Sequence, residues 1–206
     1  MLRKRIKVCG IKKLEDAMVA AHSGADALGF VFYEPSPRNI DIQTAKDIIQ
    51  KLPAFVTSVA LFVDPDVELV ETVIEQTQVD LLQFHGNETA EFCTRFSRPY
   101  IKALRVRPEL DIAEQAKRHP NAKAILLDAY VENVPGGTGK AFNWSLIPAE
   151  LDQPVILAGG LHPGNVAAAI EQPNIWGVDV SGGVEAQKGV KSPQLIKSFC
   201  RGVNGG

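Results

Sequence analysis

The sequence predicts an α/β protein whose residues 1–206 form a single-domain (β/α)8 TIM barrel. Short apolar segments alternate with amphipathic segments along the chain, and eight such pairs leave roughly 26 residues for each strand–helix unit. Helices between strands supply the long crossovers that parallel strands need. Both an open doubly wound sheet and a closed barrel satisfy this pattern. We favour the barrel because eight regular units lack a G-x-G-x-x-G turn after the first strand.

The predicted elements follow one another without a linker or a low-complexity segment. Leu14, Ala17 and Ala21 recur at helical spacing, and Ser192 is predicted to cap a helix that begins with Pro193. The predicted strands are 5–10, 27–33, 57–63, 79–85, 100–106, 124–130, 155–160 and 175–181. The predicted helices are 14–23, 44–51, 67–76, 89–96, 112–119, a weak one at 144–148, 164–171 and 193–201.

Composition and charge exclude several classes of protein. The formal net charge of −2 gives no reason to expect nucleic acid or an anionic membrane as a partner. No apolar run approaches the ~18 residues of a membrane-spanning helix. The three cysteines stand at unrelated spacings, which argues against a disulfide framework or a zinc cluster and predicts a cytoplasmic protein.

Polar residues accumulate where the predicted strands end. Successive side chains point to opposite faces, so Ile6 and Val8 should face the helices while Lys7 and Cys9 face the barrel axis. Barrel enzymes build their active sites at the C-terminal ends of the strands, so we expect a site there. The same alternation directs further polar residues inward on strands four, six and eight: Gln83, His85, Asp128, Asp179 and Ser181.

Each of these residues also has a structural interpretation. A lone cysteine is usually a small buried hydrophobe, but Cys9 ends a strand beside Lys7, whose charge would lower the pKa of a thiol. Asp128 could cap a helix, yet it directly follows an apolar strand and should lie over the barrel mouth. His85 is suited equally to organising hydrogen bonds and to proton transfer. The cysteines of the helical segments are expected to serve packing only.

Two glycine pairs predict a phosphate site. Gly159 and Gly160 follow strand seven, and Gly182 and Gly183 follow strand eight after Ser181. They could be turn glycines, but barrels often bind phosphate after strands seven and eight with bare backbone N–H groups. No lysine or arginine stands inside either segment, so backbone amides are expected to bind the phosphate.

Two loops complete the predicted rim. The segment 135–140 is not a P-loop, because Ala141 replaces the required Ser or Thr and no glycine begins the motif. We expect it to be a mobile loop that closes over the site. Arg38, beside the rigid Pro37, could be solvated, but its position favours a clamp for a carboxylate.

Several segments taken together resemble one enzyme family. In order they are KVCGI at 7–11, SPR at 36–38, QFHG at 83–86, LD at 127–128, GGTG at 136–139 with Phe142 and Trp144, LAGGL at 157–161 and GVDVS at 177–181. This set resembles the phosphoribosylanthranilate isomerases of tryptophan biosynthesis over essentially the whole chain. One departure is Gly182, where the family usually has a serine.

The resemblance implies a cofactor-free Amadori rearrangement of N-(5-phosphoribosyl)anthranilate to 1-(2-carboxyphenylamino)-1-deoxyribulose 5-phosphate. It implies that Asp128 is the acid that protonates the furanose oxygen and that Cys9 is the base that removes a proton from C2. The residues themselves predict a small phosphorylated substrate, from the glycine pairs, and no metal, because the histidines carry no partner pattern. Either a monomer or a homodimer is expected. The expected substrate-binding residues are Lys7, Arg38, Gln83, His85, Gly159, Gly160, Asp179, Ser181, Gly182 and Gly183.

Other phosphate-binding barrels fit less well. An indole-glycerol-phosphate synthase would need a set of Lys and Glu residues at the strand ends. The sugar isomerase of histidine biosynthesis would need two aspartates in place of Cys9 and Asp128, and a ribulose-phosphate epimerase would need metal ligands. A barrel that binds a phosphorylated ligand without catalysis is the alternative from another class. The joint presence of Cys9, Asp128 and Arg38 argues against it.

Overall fold

The computed structural model describes residues 3–129 and 143–205, in which eight parallel strands close into a barrel in chain order. The last strand pairs with the first, so the closed barrel is confirmed and the open sheet is excluded. The predicted loop at 135–140 lies outside the described residues. The strands are β1 (Arg5–Cys9), β2 (Ala27–Val31), β3 (Thr57–Phe62), β4 (Leu81–Phe84), β5 (Tyr100–Val106), β6 (Ile125–Ala129), β7 (Val155–Leu157) and β8 (Ile175–Val180).

Helices connect the strands. Ser192 caps the last one by accepting a hydrogen bond from the Leu195 N–H, and Pro193 is its first residue, as predicted. The segment predicted as a weak helix is a 3-10 helix at Trp144–Leu146, which ends shortly before Pro148. The α-helices are α1 (Leu14–His22), α2 (Ile42–Ile49), α3 (Val67–Thr77), α4 (Ala90–Cys93), α5 (Ile112–Lys117), α6 (Val166–Ile170) and α7 (Pro193–Asn204).

An unpredicted hairpin follows β8. A 3-10 helix at Gly182–Val184 leads into β9 (Glu185–Gln187), which pairs with β10 (Val190–Lys191) in antiparallel orientation. Strands of three and two residues are too short to show the alternation that predicts a strand. This hairpin brings Glu185 and Lys191 to the C-terminal end of the barrel, here called the mouth.

The predicted alternation of side chains on the strands is confirmed. Ile6, Val8 and Leu127 belong to the large core between the barrel and the helices. Leu126 belongs to a separate apolar cluster inside the barrel. Cys9 packs with Val31 and Leu61 in a third apolar cluster, which also lies inside the barrel. Apolar side chains therefore fill much of the barrel axis, and polar side chains lie at the mouth and just beneath it. Within the described residues, none of the helices is both long and apolar enough to cross a membrane.

Candidate active site

A buried ion pair joins the first and last strands beneath the mouth. Lys7 Nζ lies 2.9 Å from Asp179 Oδ1, and the two side chains are 5% and 8% exposed. The residues are register partners across β1 and β8, which fixes the pair on rigid backbone. On β2, Gly29 leaves the space this arrangement needs, because a Cβ there would lie 2.7 Å from Cys9 Sγ and 3.1 Å from Lys7 Nζ.

The Cys9 thiol differs from the sequence expectation. Burial raises its pKa above the ordinary 9.0, although the nearby charge of Lys7 lowers it. The carboxylate of Asp179 acts in the same direction as burial, because it disfavours a second negative charge. The expectation of a lowered thiol pKa was therefore wrong. Burial of Cys9, together with the Asp179 carboxylate on β8, outweighs the effect of the Lys7 cation on the same strand.

A hydrogen-bonded chain connects β4 to β6. Gln83 Nε2 lies 3.1 Å from His85 Nδ1, and His85 Nε2 lies 3.1 Å from Asp128 Oδ2. Because the Gln83 amide N–H donates to His85 Nδ1, the imidazole proton is on Nε2. The Nε2–H group then donates a hydrogen bond to the Asp128 carboxyl group. The second oxygen of Asp128 accepts the Ala129 N–H at 2.8 Å. The carboxyl group is thus held at the end of β6 in a fixed orientation.

One cavity at the mouth collects most of the predicted residues. Lys7 and Gln83 are not among its lining residues. Each stands two positions before an inward-facing residue that does line it, Cys9 or His85, and therefore lies one layer deeper. The structure thus places these two residues behind the lining of the cavity. The predicted residues that line the cavity are Cys9, Arg38, His85, Asp128, Gly159, Gly160, Asp179, Ser181, Gly182 and Gly183.

The two glycine pairs form one side of this cavity. Gly159 and Gly160 have φ angles of +77° and +68°, which L-residues with side chains rarely adopt. Gly183 packs directly on the other loop, since a Cβ there would lie 1.8 Å from the Leu161 carbonyl oxygen. Within the described ranges, the N–H groups of Gly159 and Gly160 have no hydrogen-bond acceptor. These donors can bind an anion.

Arg38 is buried and paired. Its Nε and Nη2 donate to Glu185 Oε1 and Oε2 at 2.7 and 2.9 Å. Lys191 Nζ donates to Glu185 Oε1 at 3.0 Å and to the Ser181 carbonyl oxygen at 3.0 Å. Neither Glu185 nor Lys191 was predicted from the sequence. They lie after the last recognised strand, and the hairpin that returns them to the mouth has no local sequence signal.

The arrangement offers an acid–base pair and two anion subsites. Cys9 and Asp128 border one cavity from β1 and β6, with Arg38 and the glycine loops around them. Among the residues described, no group of three or more His, Cys, Asp or Glu side chains is placed to hold a metal ion. The prediction that none is needed stays a prediction.

Comparison with known proteins identifies the family. The model of the N-(5'-phosphoribosyl)anthranilate isomerase family matches residues 6–201. The N-(5'-phosphoribosyl)anthranilate isomerase of Nitrosospira multiformis is 55% identical over 199 residues, which cover 97% of this chain and 96% of the relative.

Solved structures agree with this match. A phosphoribosyl anthranilate isomerase in complex with reduced 1-(o-carboxyphenylamino)-1-deoxyribulose 5-phosphate superposes with a TM-score of 0.87 at 38% identity, over 98% of this chain and 99% of that one. Monomers generated from the dimeric enzyme of Thermotoga maritima give 0.84 at 36% identity, with the same coverage. The chain therefore belongs to the N-(5'-phosphoribosyl)anthranilate isomerase family.

Proposed function

We propose that this protein catalyses the Amadori rearrangement of N-(5-phosphoribosyl)anthranilate in tryptophan biosynthesis, and that Asp128 and Cys9 are its acid and base. The observation that carries the proposal is their placement on one cavity, each at the end of a rigid strand. Family membership over nearly the whole chain supports the same reaction.

The first step is ring opening. Asp128 donates a proton to the furanose oxygen while the bond between that oxygen and C1 breaks. The lone pair of the anthranilate nitrogen forms the C1=N bond of a Schiff base. His85 Nε2 lies 3.1 Å from Asp128 Oδ2, and Gln83 fixes the histidine tautomer. The two residues therefore orient Asp128 and stabilise the carboxylate that is left once its proton has been transferred.

The second step is proton removal from C2. The Cys9 thiolate takes this proton, and the C2–H electrons form a C1=C2 double bond while the C1=N bond becomes an amine. The enolamine then gains a proton at C1 and loses the proton of its C2 hydroxyl group, which gives the ketone product. Because burial raises the pKa of Cys9, only a fraction of the free protein carries the thiolate at neutral pH.

The two anionic ends of the substrate suit the two subsites. The glycine loops after β7 and β8 take the phosphate on backbone N–H groups, and Arg38 takes the anthranilate carboxylate. This places the reacting carbons between Cys9 and Asp128. The solved relative with the reduced product analogue supports a ligand of this class.

Assembly and location remain predictions. A monomer or a homodimer is expected, in the cytoplasm, without a nucleic-acid or membrane partner. Phe55 is 99% exposed and Trp176 is 49% exposed around an apolar pocket at the N-terminal end of the barrel. Such a patch supports the homodimer, since monomers rarely leave large apolar side chains exposed together. Sedimentation equilibrium distinguishes the two states by mass.

A direct assay tests the activity. The fluorescence of phosphoribosylanthranilate should decay when the purified protein is added, and the product should have the mass of its substrate. A stable signal with folded protein would refute the proposed function. Release of free anthranilate instead of isomerisation would refute the acid–base roles.

A further inference from the structure

The buried carboxylate of Glu185 occupies one edge of the Arg38 guanidinium. An arginine side chain has five N–H donors, and the Nε–Nη2 edge is one of the two that bind a carboxylate bidentately. Glu185 takes this edge at 2.7 and 2.9 Å. Within residues 3–129 and 143–205, Nη1 has no hydrogen-bond partner. The Nη1–Nη2 edge of Arg38 therefore remains for a ligand, and Arg38 lines the cavity.

Several contacts hold Glu185 itself. Oε1 also accepts from Lys191 Nζ at 3.0 Å, and Oε2 accepts from the Gly189 N–H at 3.1 Å. Gly189 has a φ angle of +81°, and a Cβ on it would lie 2.6 Å from the Pro37 carbonyl oxygen. Only glycine lets the hairpin approach the segment that carries Arg38 this closely.

The arginine stem is fixed as well. A Cβ on Gly10, whose φ angle is +81°, would lie 2.9 Å from Arg38 Cδ. The methylene groups of Arg38 therefore lie directly over the end of β1. With its stem on Gly10 and one edge on Glu185, the guanidinium has a single orientation toward the cavity.

The charges support a ligand-binding arrangement. Burial alone would raise the pKa of Glu185, but its hydrogen bonds from Arg38 and the charge of Lys191 lower it to about 2. Glu185 is thus ionised at neutral pH. Two basic side chains face this single carboxylate, so the cluster does not present excess negative charge to an incoming anion.

We infer that Glu185 is a positioning residue that turns the free edge of Arg38 toward the carboxylate of the substrate. This inference rests on the proposed function and adds a specificity determinant to it. The β9–β10 hairpin thereby acts on substrate selection without touching the reacting atoms. Its effect should appear in the discrimination between ligands with and without a carboxylate.

Binding of two ligands tests the inference. They are reduced 1-(o-carboxyphenylamino)-1-deoxyribulose 5-phosphate and the matching anilino compound without the carboxylate, with Kd measured by titration calorimetry. We expect Glu185→Gln to reduce the preference for the carboxylate ligand about tenfold, while kcat changes less than twofold. In an Arg38→Ala background, the same change should have no further effect on the preference. Glu114→Gln, which breaks a surface pair with Arg118, is the matched control and should change neither Kd.

The outcomes separate the inference from the function. An unchanged preference in Glu185→Gln, or an equal loss for both ligands, would overturn the positioning role while the wild-type activity stands. If wild-type protein neither binds the carboxylate ligand nor turns over substrate, the proposed function fails and the inference falls with it. If Glu185→Gln does not fold, Glu185→Asp decides. It keeps the charge but withdraws the carboxylate, so a reduced preference is expected and a wild-type preference would contradict the role.

Discussion

The same residue types occur twice in this barrel, once on the inward faces of the strands and once in the outer layer. Cys9 and Cys93 are both buried. The inner pair Lys7–Asp179 spans 2.9 Å, and the outer pair Lys102–Glu88 spans 2.8 Å. His85 and His119 are both buried as well.

The surroundings of the two sets differ. The inward set lies at or just beneath the mouth cavity. Lys102 points outward from β5, donates to the carbonyl oxygen of Gly86 at 2.8 Å, and fixes the turn after β4 together with Glu88. Burial raises the pKa of Cys93 to about 12, so this thiol stays neutral. Residue type, burial and ion pairing therefore do not distinguish a functional group from a structural one. Their location does: one set faces the mouth of the barrel, and the other packs in the outer layer.

The largest expected effect separates the two cysteines. Cys9→Ala should lower kcat/KM by about 10²- to 10⁴-fold, the usual contribution of a general base, with the fold retained. Cys93→Ala should keep its activity per folded molecule and lose only stability, because it removes a packed sulfur. Fluorescence decay of the substrate and urea unfolding measure the two effects. Near wild-type activity in Cys9→Ala or Cys9→Ser would remove the base from the mechanism.

A loss in the same range is expected for the acid. Asp128→Asn keeps the shape of the side chain but has no carboxyl proton to donate, so kcat should decrease by about 10²-fold or more. Asp111→Asn is the matched control, because Asp111 caps α5 and asparagine caps equally well. Stopped-flow turnover under saturating substrate measures both variants. Equal rates for wild type and Asp128→Asn would assign the proton donor elsewhere.

The two ion pairs should separate stability from activity. Lys102→Met leaves Glu88 buried without its cation and should cost about 3–5 kcal/mol of unfolding free energy, with activity retained in the folded fraction. Lys7→Met should cost a similar amount and also lower kcat/KM, because loss of the cation raises the pKa of Cys9 further. Urea unfolding and steady-state kinetics on the same samples test this. Retained activity in Lys7→Met would make the inner pair purely structural.

The smallest effect concerns His119. Burial lowers its pKa from 6.5 to about 4, so the folded protein keeps it neutral while the unfolded chain protonates it below pH 6.5. Stability should therefore decrease as the pH is lowered from about 6.5 to about 4, by roughly 2–3 kcal/mol. His119→Gln should remove this acid-dependent loss, whereas His22→Gln, at an exposed position, should leave it in place. Thermal unfolding at several pH values measures this loss. If His119→Gln loses as much stability at low pH as the wild type does, the prediction is contradicted.

Strand alternation made most of the fold and the mouth predictable from sequence. The inward direction of Cys9, Asp128 and His85 depends only on the period of two along a strand, which the apolar neighbours define. The two glycine pairs were also found at their strand ends, because glycine marks a turn locally. These features are all encoded within a few neighbouring residues.

The missed features depend on contacts between distant parts of the chain. Glu185 meets Arg38 across 147 positions, and Asp179 meets Lys7 across 172. No local pattern reports such a partner, so the carboxylate that pairs with Arg38 was not predicted. The pKa of the Cys9 thiol was predicted in the wrong direction because burial, the largest cause of its shift, depends on the whole fold. Lys7 and Gln83 were expected to line the cavity, but they lie one layer below it. Alternation predicts which face of a strand a side chain is on, but not how far along the barrel axis it lies.

A crystal structure of this protein with reduced 1-(o-carboxyphenylamino)-1-deoxyribulose 5-phosphate tests the account most directly. We expect the phosphate on the backbone of Gly159, Gly160 and Gly183, the carboxylate on the Nη edge of Arg38, and C2 of the ligand beside Cys9 Sγ. The outer set, Cys93, Lys102 and His119, should contact no part of the ligand. A ligand bound in the reverse orientation, or one with C2 out of reach of Cys9, would contradict the assignment of the inward residues to catalysis.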